Sequence, residues 1–161
     1  MRLTDAPNRS TLRVPIARVE GAEDIPIPRY ATPGSSGVDL HAAIGDEEKL
    51  EPGRQIRIPT GIRLALPEGM EAQVRPRSGL AFRHGIMLPN APGTIDSDYR
   101  GEIQVLLWNT GSKTFNIRRG DRVAQLVVAP VVRVEFEESD QLESSQRGRG
   151  GFGHTGHKGI M

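Results

Sequence analysis

Apolar residues recur at every second position in several short stretches of this chain, and the β-strand is the regular element with that period. Turn residues separate the stretches, and the chain contains 19 Gly and 12 Pro. Short strands joined by tight turns predict a sandwich, a jelly roll or a small barrel. Residues 79–86 favour a short helix. The alternating sets are Leu12/Val14/Ile16, Ile56/Ile58, Ile62/Leu64/Leu66, Met70/Ala72/Val74 and Val132/Val134/Phe136.

The length of the chain, 161 residues, suits one domain with its own core. Residues 1–10 read as a polar N-terminal extension, and residues 11–143 carry the strand pattern. Residues 144–161, here called the C-terminal arm, are rich in Gly and contain one aromatic residue, Phe152. Such a segment buries too little apolar surface to offset its ordering entropy, so we expect the arm to be mobile until something binds it.

Charge balance and the lack of cysteine exclude several classes of function. Lys and Arg together number 21 and Asp and Glu 20, so no broad positive charge attracts nucleic acid or an anionic membrane. Without Cys there is no disulfide, thiolate nucleophile or thiolate-bound zinc. The first residues lack the apolar stretch of a secretory signal, and no apolar run approaches the roughly 20 residues that span a bilayer. We therefore expect a soluble, cytoplasmic protein.

Arg75-Pro76-Arg77-Ser78-Gly79 follows an alternating stretch and could bind phosphate. Pro76 stiffens the backbone, and Gly79 allows a close approach to a ligand. The guanidinium groups of Arg75 and Arg77 would face one place together with a hydroxyl, and guanidinium forks suit phosphate oxygens. The alternative is a solvated strand end.

The segment from Gly93 to Glu102 concentrates three carboxylates, an arginine and a tyrosine. In a β-hairpin, Asp96 and Asp98 would point to the same face. One carboxylate could act as a general base, and the ring of Tyr99 could form a wall against a sugar or a base. The alternative is a charged hairpin tip whose acids pair with Arg100.

The sequence of the C-terminal arm is compatible with several functions. Residues 148–153 satisfy G-x-G-x-x-G, but no strand precedes them and no helical pattern follows, so the dinucleotide reading fails. Arg147 and Arg149 among glycines resemble a short RGG segment for nucleic acid. The arm could instead close over a bound nucleotide, with Arg147 on phosphate and Phe152 on the base. His154 and His157 have no nearby carboxylates or thiols to complete a metal site.

Five segments, in chain order, resemble the five motifs of the trimeric dUTPase family. The resemblance covers about residues 12 to 156, and five motifs in sequence are specific. It implies an all-β fold, a jelly-roll or β-clip type barrel with one short helix. The segments are Pro33–Ala43, Arg75–Ala81, Asn90–Glu102, Gly120–Leu126 and Arg147–Gly156.

The resemblance also implies a homotrimer whose active sites lie between subunits. The third motif comes from one chain, the first, second and fourth motifs come from a neighbour, and the arm of the remaining chain closes the site. The implied substrate is dUTP, with no nucleic-acid or membrane partner. The implied products are dUMP and pyrophosphate, so such an enzyme keeps uracil out of DNA and supplies dUMP for dTMP synthesis.

Individual roles follow from the same resemblance. Asp96 would activate a water that attacks the α-phosphorus, with Mg²⁺ on the triphosphate and Asp39 contributing to the metal through water. Contacts to phosphates are implied for Arg77, Ser78, Gly79, Gln125 and Arg147. Contacts to uracil or deoxyribose are implied for Asn90, Thr94, Ile95, Tyr99 and Phe152, and the arm would further use Gly151, Gly153, His154 and Thr155.

Two positions depart from the common family pattern. Val38 stands where an aromatic residue is frequent, and His154 stands where Ser is frequent.

Two other functions stay open. A dCTP deaminase shares the implied fold, but that family uses a glutamate for the base chemistry, whereas this chain has Asp96. A regulator that senses dUTP on the same scaffold would bind the nucleotide without turnover.

Overall fold

The computed structural model describes residues 11–152, which form an all-β fold with one short helix. The sequence expectation of short strands joined by turns is confirmed. The strands are β1 Ile16–Arg18, β2 Val38–His41, β3 Glu48–Leu50, β4 Gln55–Pro59, β5 Ile62–Leu64, β6 Met70–Arg75, β7 Ile86–Met87, β8 Gly93–Ile95, β9 Gln104–Asn109, β10 Phe115–Ile117 and β11 Arg122–Pro130; the helix is α1 Ser78–His84.

All strand pairs in the described residues are antiparallel, and they form four small sheets. The largest sheet has the order β2-β11-β6-β8, and the second has the order β4-β9-β7. Two-stranded pairs, β1-β5 and β10-β3, complete the set. Within residues 11–152 no sheet closes on itself, so the fold is jelly-roll-like without a closed barrel.

One hydrophobic core joins the two larger sheets. The apolar side chains that alternate along each strand meet in it, as the period of two requires. Burial of each such side chain stabilises the fold by about 1.5–3 kcal/mol. The fully or almost fully buried members include Leu40, Ala72, Val74 and Leu126 from the first sheet and Ile58, Ile86, Val105 and Leu107 from the second.

Helix α1 covers Ser78–His84, one residue earlier at its start and two earlier at its end than the sequence suggested. Gly85 ends it in a left-handed conformation (φ 68°), and its N–H donates to the carbonyl of Ala81. A Cβ at this position would lie 2.6 Å from the backbone nitrogen of Gly111, so glycine is needed for both reasons. The part of the chain that the structure describes contains no helix able to cross a membrane.

Two strand predictions need correction. The alternating set Leu12/Val14/Ile16 is irregular before Ile16, where β1 begins. The set Val132/Val134/Phe136 is wrong for the single chain, because residues 131–136 form no strand and Phe136 is 93% exposed. The last sheet-edge hydrogen bond joins the Val131 N–H to the carbonyl of Gly69, 2.8 Å away. Beyond it, no described strand offers this segment backbone partners or an apolar face.

Candidate active site

An open cleft of about 270 Å³ lies beside β8 and is here called the β8 cleft. With the exception of Phe152, it brings together the residues that the resemblance assigned to uracil, deoxyribose and water activation. β8 reaches this place through its pairing with β6, in which Gly93 faces Val74 and Thr94 faces Gln73. The lining includes Asn90, Thr94, Ile95, Asp96 and Tyr99 from the third motif, with Val74, Glu102, Gln104 and Leu106 behind them.

The ring of Tyr99 is held in place at one side of the β8 cleft. Its hydroxyl donates a hydrogen bond to the carbonyl of Glu102 at 2.9 Å. Gly101 lies directly under the ring, because a Cβ there would come within 2.5 Å of the Tyr99 Cζ atom. The Glu102 carboxylate in turn accepts from the Gly61 N–H at 2.8 Å, which ties the loop to the turn between β4 and β5. The ring is therefore oriented before any ligand arrives.

The two aspartates of this segment do not share a face. β8 ends at Ile95, and residues 96–99 form a turn in which the Tyr99 N–H donates to the Asp96 carbonyl. Asp96 lines the β8 cleft, whereas Asp98 does not. The hairpin geometry expected from the sequence is thus wrong, because the chain turns directly after Ile95. Arg100 donates to the carbonyls of Ser97 and Tyr99, and no ion pair joins it to a described carboxylate.

A second group of site residues surrounds the carboxylate of Asp39 on β2. Arg77 pairs with one oxygen at 2.8 Å, and Arg122 with the other at 3.1 Å. Gln125 lies opposite Asp39 on β11 and donates to the Pro76 carbonyl at 2.9 Å. We call Asp39, Arg77, Arg122 and Gln125 the Asp39 cluster. Three of the five motifs meet here, since the first, second and fourth each contribute a residue.

A bulge in β11 places Arg122 and Gln125 on the same side of the sheet. Residues three apart on a regular strand face opposite sides. The register of β11 against β2 shifts between Arg122 and Ala124, and Val123 and Ala124 are both buried. The extra residue therefore lets Arg122 sit opposite His41 while Gln125 sits opposite Asp39.

The predicted convergence of Arg75 and Arg77 is not seen. Arg75 donates to the Gln73 side chain, whereas Arg77 pairs with Asp39. Ser78 and Gly79 begin α1 directly after Arg77. The hydroxyl of Ser78 makes no hydrogen bond to another described residue, so it is available to a ligand.

His41 follows Asp39 on the same side of β2. Its Nδ1 atom is buried and has no hydrogen-bond partner among residues 11–152. Burial lowers the pKa of this imidazole; Asp39 opposes the change and the charges of Arg122 and Arg77 add to it. The lowered pKa favours the neutral form of the ring, and that form adds no positive charge beside the Asp39 cluster.

Arg147 and Phe152 lie in neither group of residues within a single chain. Arg147 donates to the carbonyl of Gly150 in a local turn, and the Phe152 side chain is fully exposed. Gly151 is also exposed. Gly153, His154 and Thr155, which the resemblance assigned to the arm, lie outside the described residues.

Sequence reasoning missed two residues of this site. Arg122 stands in the fourth motif, but only the bulge reveals that it contacts Asp39. Glu102 ends the third motif, and its link to Gly61 crosses 41 positions in the chain. Neither contact has a local signal in the sequence.

Comparisons with known proteins match this chain to one family. The model of the dUTPase family matches residues 23–156. A protein of Anaplasma marginale (strain St. Maries), deoxyuridine 5'-triphosphate nucleotidohydrolase, is 54% identical over 145 residues, covering 90% of this chain and 99% of the relative.

Solved structures with low identity share the fold. A dUTPase of Staphylococcus bacteriophage 80alpha with dUpNHpp has a TM-score of 0.82 at 23% identity, covering 91% of this chain and 100% of that one. A variant dUTPase from phage phi11 of S. aureus, described with a structural Mg(II) ion, has a TM-score of 0.73 at 21% identity, covering 83% and 100%. The family match and the 54% identical relative show that the chain belongs to the dUTPase family.

Proposed function

We propose that this protein is a dUTP diphosphatase that hydrolyses dUTP to dUMP and pyrophosphate. The observation that carries the proposal is the sorting of the motif residues into two groups with complementary chemistry. The β8 cleft offers a carboxylate and an aromatic ring, while the Asp39 cluster offers guanidinium and amide donors. The family match and the 54% identical relative support the same activity.

The β8 cleft is the proposed site of the deoxyuridine. Asn90 and the backbone of Thr94 and Ile95 supply polar groups that can pair with the edge of uracil. Tyr99, fixed by Glu102 and Gly101, would lie against the deoxyribose and leave no room for a 2′-hydroxyl. The cleft therefore selects both the base and the sugar.

Asp96 is the proposed general base. Its side chain is exposed at the cleft, where it can accept a proton from a water. The water oxygen forms a bond to the α-phosphorus while the bond to the α,β-bridging oxygen breaks, and pyrophosphate leaves. Arg77, Ser78, Gly79, Gln125 and Arg147 would hold the phosphates and stabilise the charge on the leaving group.

Mg²⁺ is the proposed cofactor, and the donor set fits a weakly held ion. No group of three or more metal-binding side chains occurs in residues 11–152, and both oxygens of Asp39 are paired with arginines. Mg²⁺ commonly keeps several waters and binds through one carboxylate and substrate phosphates, so Asp39 would hold it through water. When bound, the ion would neutralise phosphate charge.

Two features of the chain support the further proposal that the site is shared between subunits of a homotrimer. Asp96 lines the β8 cleft and Asp39 lines a separate cleft, and neither cleft includes both. Residues 131–136 leave an alternating apolar side exposed, with Val132 at 84% and Phe136 at 93%. An exposed apolar segment of this kind suits burial against a second copy. The arm would then bring Arg147, Phe152 and residues 153–155 to a neighbouring site, where Phe152 would stack on uracil.

In the cell the proposed reaction would keep uracil out of DNA and supply dUMP for dTMP synthesis.

A substrate panel tests the proposed function. Purified protein with Mg²⁺ is incubated separately with dUTP, dCTP, dTTP and UTP, and the products are identified by chromatography. We expect dUMP and pyrophosphate from dUTP alone. Conversion of dCTP to a uracil nucleotide would instead indicate a deaminase, and tight dUTP binding without product would indicate a sensor.

A further inference from the structure

A further guanidinium, that of Arg29, lines the same cleft as Asp39 and Gln125. This cleft, here called the β2 cleft, has a volume of about 330 Å³ and is also lined by the loop of Ser35, Ser36 and Gly37. Arg29 belongs to none of the five motif segments. Its place beside them arises from the fold.

The backbone around Arg29 is anchored next to β2. Tyr30 forms an antiparallel bridge to Val38, the residue before Asp39. Pro28 restricts the backbone on the other side. Gly37 keeps the wall of the β2 cleft close to β11, since a Cβ there would lie 2.7 Å from the Gln125 side-chain oxygen. The exposed side chain of Arg29 therefore starts from a defined point near the Asp39 cluster.

Arg29 differs from Arg77 and Arg122 in having no ion-pair or hydrogen-bond partner within residues 11–152. Arg77 and Arg122 both form ion pairs with Asp39. The guanidinium of Arg29 makes no ion pair or hydrogen bond to another residue within the described range 11–152. The β2 cleft is also mainly polar, so an anion would complete it with little loss of apolar contact.

The position of Arg29 indicates which phosphate it would meet. The proposed function assigns Arg77 and Ser78 to the phosphates, and neither residue lines the β2 cleft. Arg29 lines this cleft together with Asp39 and the Ser35–Gly37 loop. With the phosphates nearer the sugar on Arg77 and Ser78, a triphosphate that continues past Asp39 would bring its last phosphate into the β2 cleft, which Arg29 lines. That phosphate has the most negative charge and the most free oxygens of the three.

We infer that Arg29 binds the terminal phosphate of the nucleotide and favours the triphosphate over the diphosphate. This inference rests on the proposed function. A guanidinium in an open cleft can form a charge-assisted, two-pronged hydrogen bond to a phosphate without displacing an existing partner.

Calorimetric titration of the complete protein with dUDP and with a non-hydrolysable dUTP analogue tests the inference. For Arg29→Ala we expect about tenfold weaker binding of the triphosphate analogue, as for the loss of one charge-assisted hydrogen bond, and less than about twofold for dUDP. Arg29→Lys should restore part of the loss. Arg54→Ala is the matched control, because Arg54 is an exposed arginine in the turn before β4 and lines neither cleft.

The outcomes separate this inference from the proposed function. Equal weakening of both ligands by Arg29→Ala, or no weakening of either, would overturn the inference while leaving dUTP hydrolysis by the wild-type protein intact. A similar loss in Arg54→Ala would reduce the effect to net charge and would also overturn it. Failure of the wild-type protein to bind or hydrolyse dUTP would overturn both proposals.

Discussion

The buried side chain of Asn109 makes three hydrogen bonds whose loss can be worked out from the structure. Its amide donates to the carbonyls of Leu50 and Lys113, each at 2.8 Å, and its oxygen accepts from the Gly111 N–H at 2.9 Å. The side chain is fully buried, so water cannot replace these partners. Asn109 thereby fixes the turn between β9 and β10 to β3.

We expect Asn109→Ala to lower the free energy of unfolding by about 3–5 kcal/mol. Each of the three hydrogen bonds contributes about 1 kcal/mol, and the buried backbone groups left unpaired add part of their desolvation cost. That is a large fraction of the roughly 5–15 kcal/mol that stabilises a typical domain. Asn109→Asp should also destabilise at neutral pH, because it places a carboxylate oxygen against two carbonyls.

Urea unfolding at one fixed protein concentration measures the effect of Asn109→Ala. Asn116→Ala is the matched control, since Asn116 is exposed on β10 and should change stability by no more than about 0.5 kcal/mol. A loss below about 1 kcal/mol for Asn109→Ala would show that these hydrogen bonds do not fix the turn as argued.

Three further predictions concern the site, the pH dependence and the assembly. Gly101→Ala should displace the Tyr99 ring, raise KM for dUTP severalfold and reduce the ratio of kcat/KM for dUTP to kcat/KM for UTP. Steady-state kinetics with both nucleotides measures these values, and an unchanged KM and an unchanged ratio would contradict the prediction. Because folding lowers the pKa of His41 from its ordinary 6.5, the folded chain binds fewer protons there than the unfolded chain, so stability should fall as pH drops below about 6.5. Thermal melts at several pH values should show a smaller loss of stability at low pH in His41→Gln than in the wild-type protein. Equal losses in the two proteins would rule out His41 as the cause. Phe136→Asp should shift the protein toward smaller species in light scattering, whereas Phe82→Asp, at a side chain equally exposed in the single chain, should not; unaltered mass in both variants would separate residues 131–136 from assembly.

The sequence predicts the strands best where a strand has a partner within the chain. Ile62 and Leu64 alternate in the sequence, and both are buried on β5. Val132 and Phe136 alternate equally well, yet they form no strand here. The local pattern is the same in both cases. The difference lies in whether another strand supplies hydrogen bonds and an apolar face, and a local pattern does not contain that information.

The contacts of the candidate site differ in the same way: some join residues close in sequence, and others join distant residues. Tyr99 and Asp96 are three positions apart, so their shared cleft follows from a short stretch of chain. The pairing of Arg122 with Asp39 joins residues 83 positions apart and depends on the bulge at Val123. Arg29 reaches the β2 cleft only because Tyr30 bridges Val38. Contacts of this kind require the strand register.

The central claim is that Asp96 activates a water for attack on the α-phosphorus of dUTP. Turnover in water labelled with heavy oxygen, followed by mass spectrometry of both products, tests it most directly. We expect the label in dUMP and none in pyrophosphate, with the reaction almost abolished in Asp96→Asn and retained in Asp98→Asn. Label in pyrophosphate would contradict attack at the α-phosphorus, and full activity of Asp96→Asn would contradict the role of Asp96 as the base.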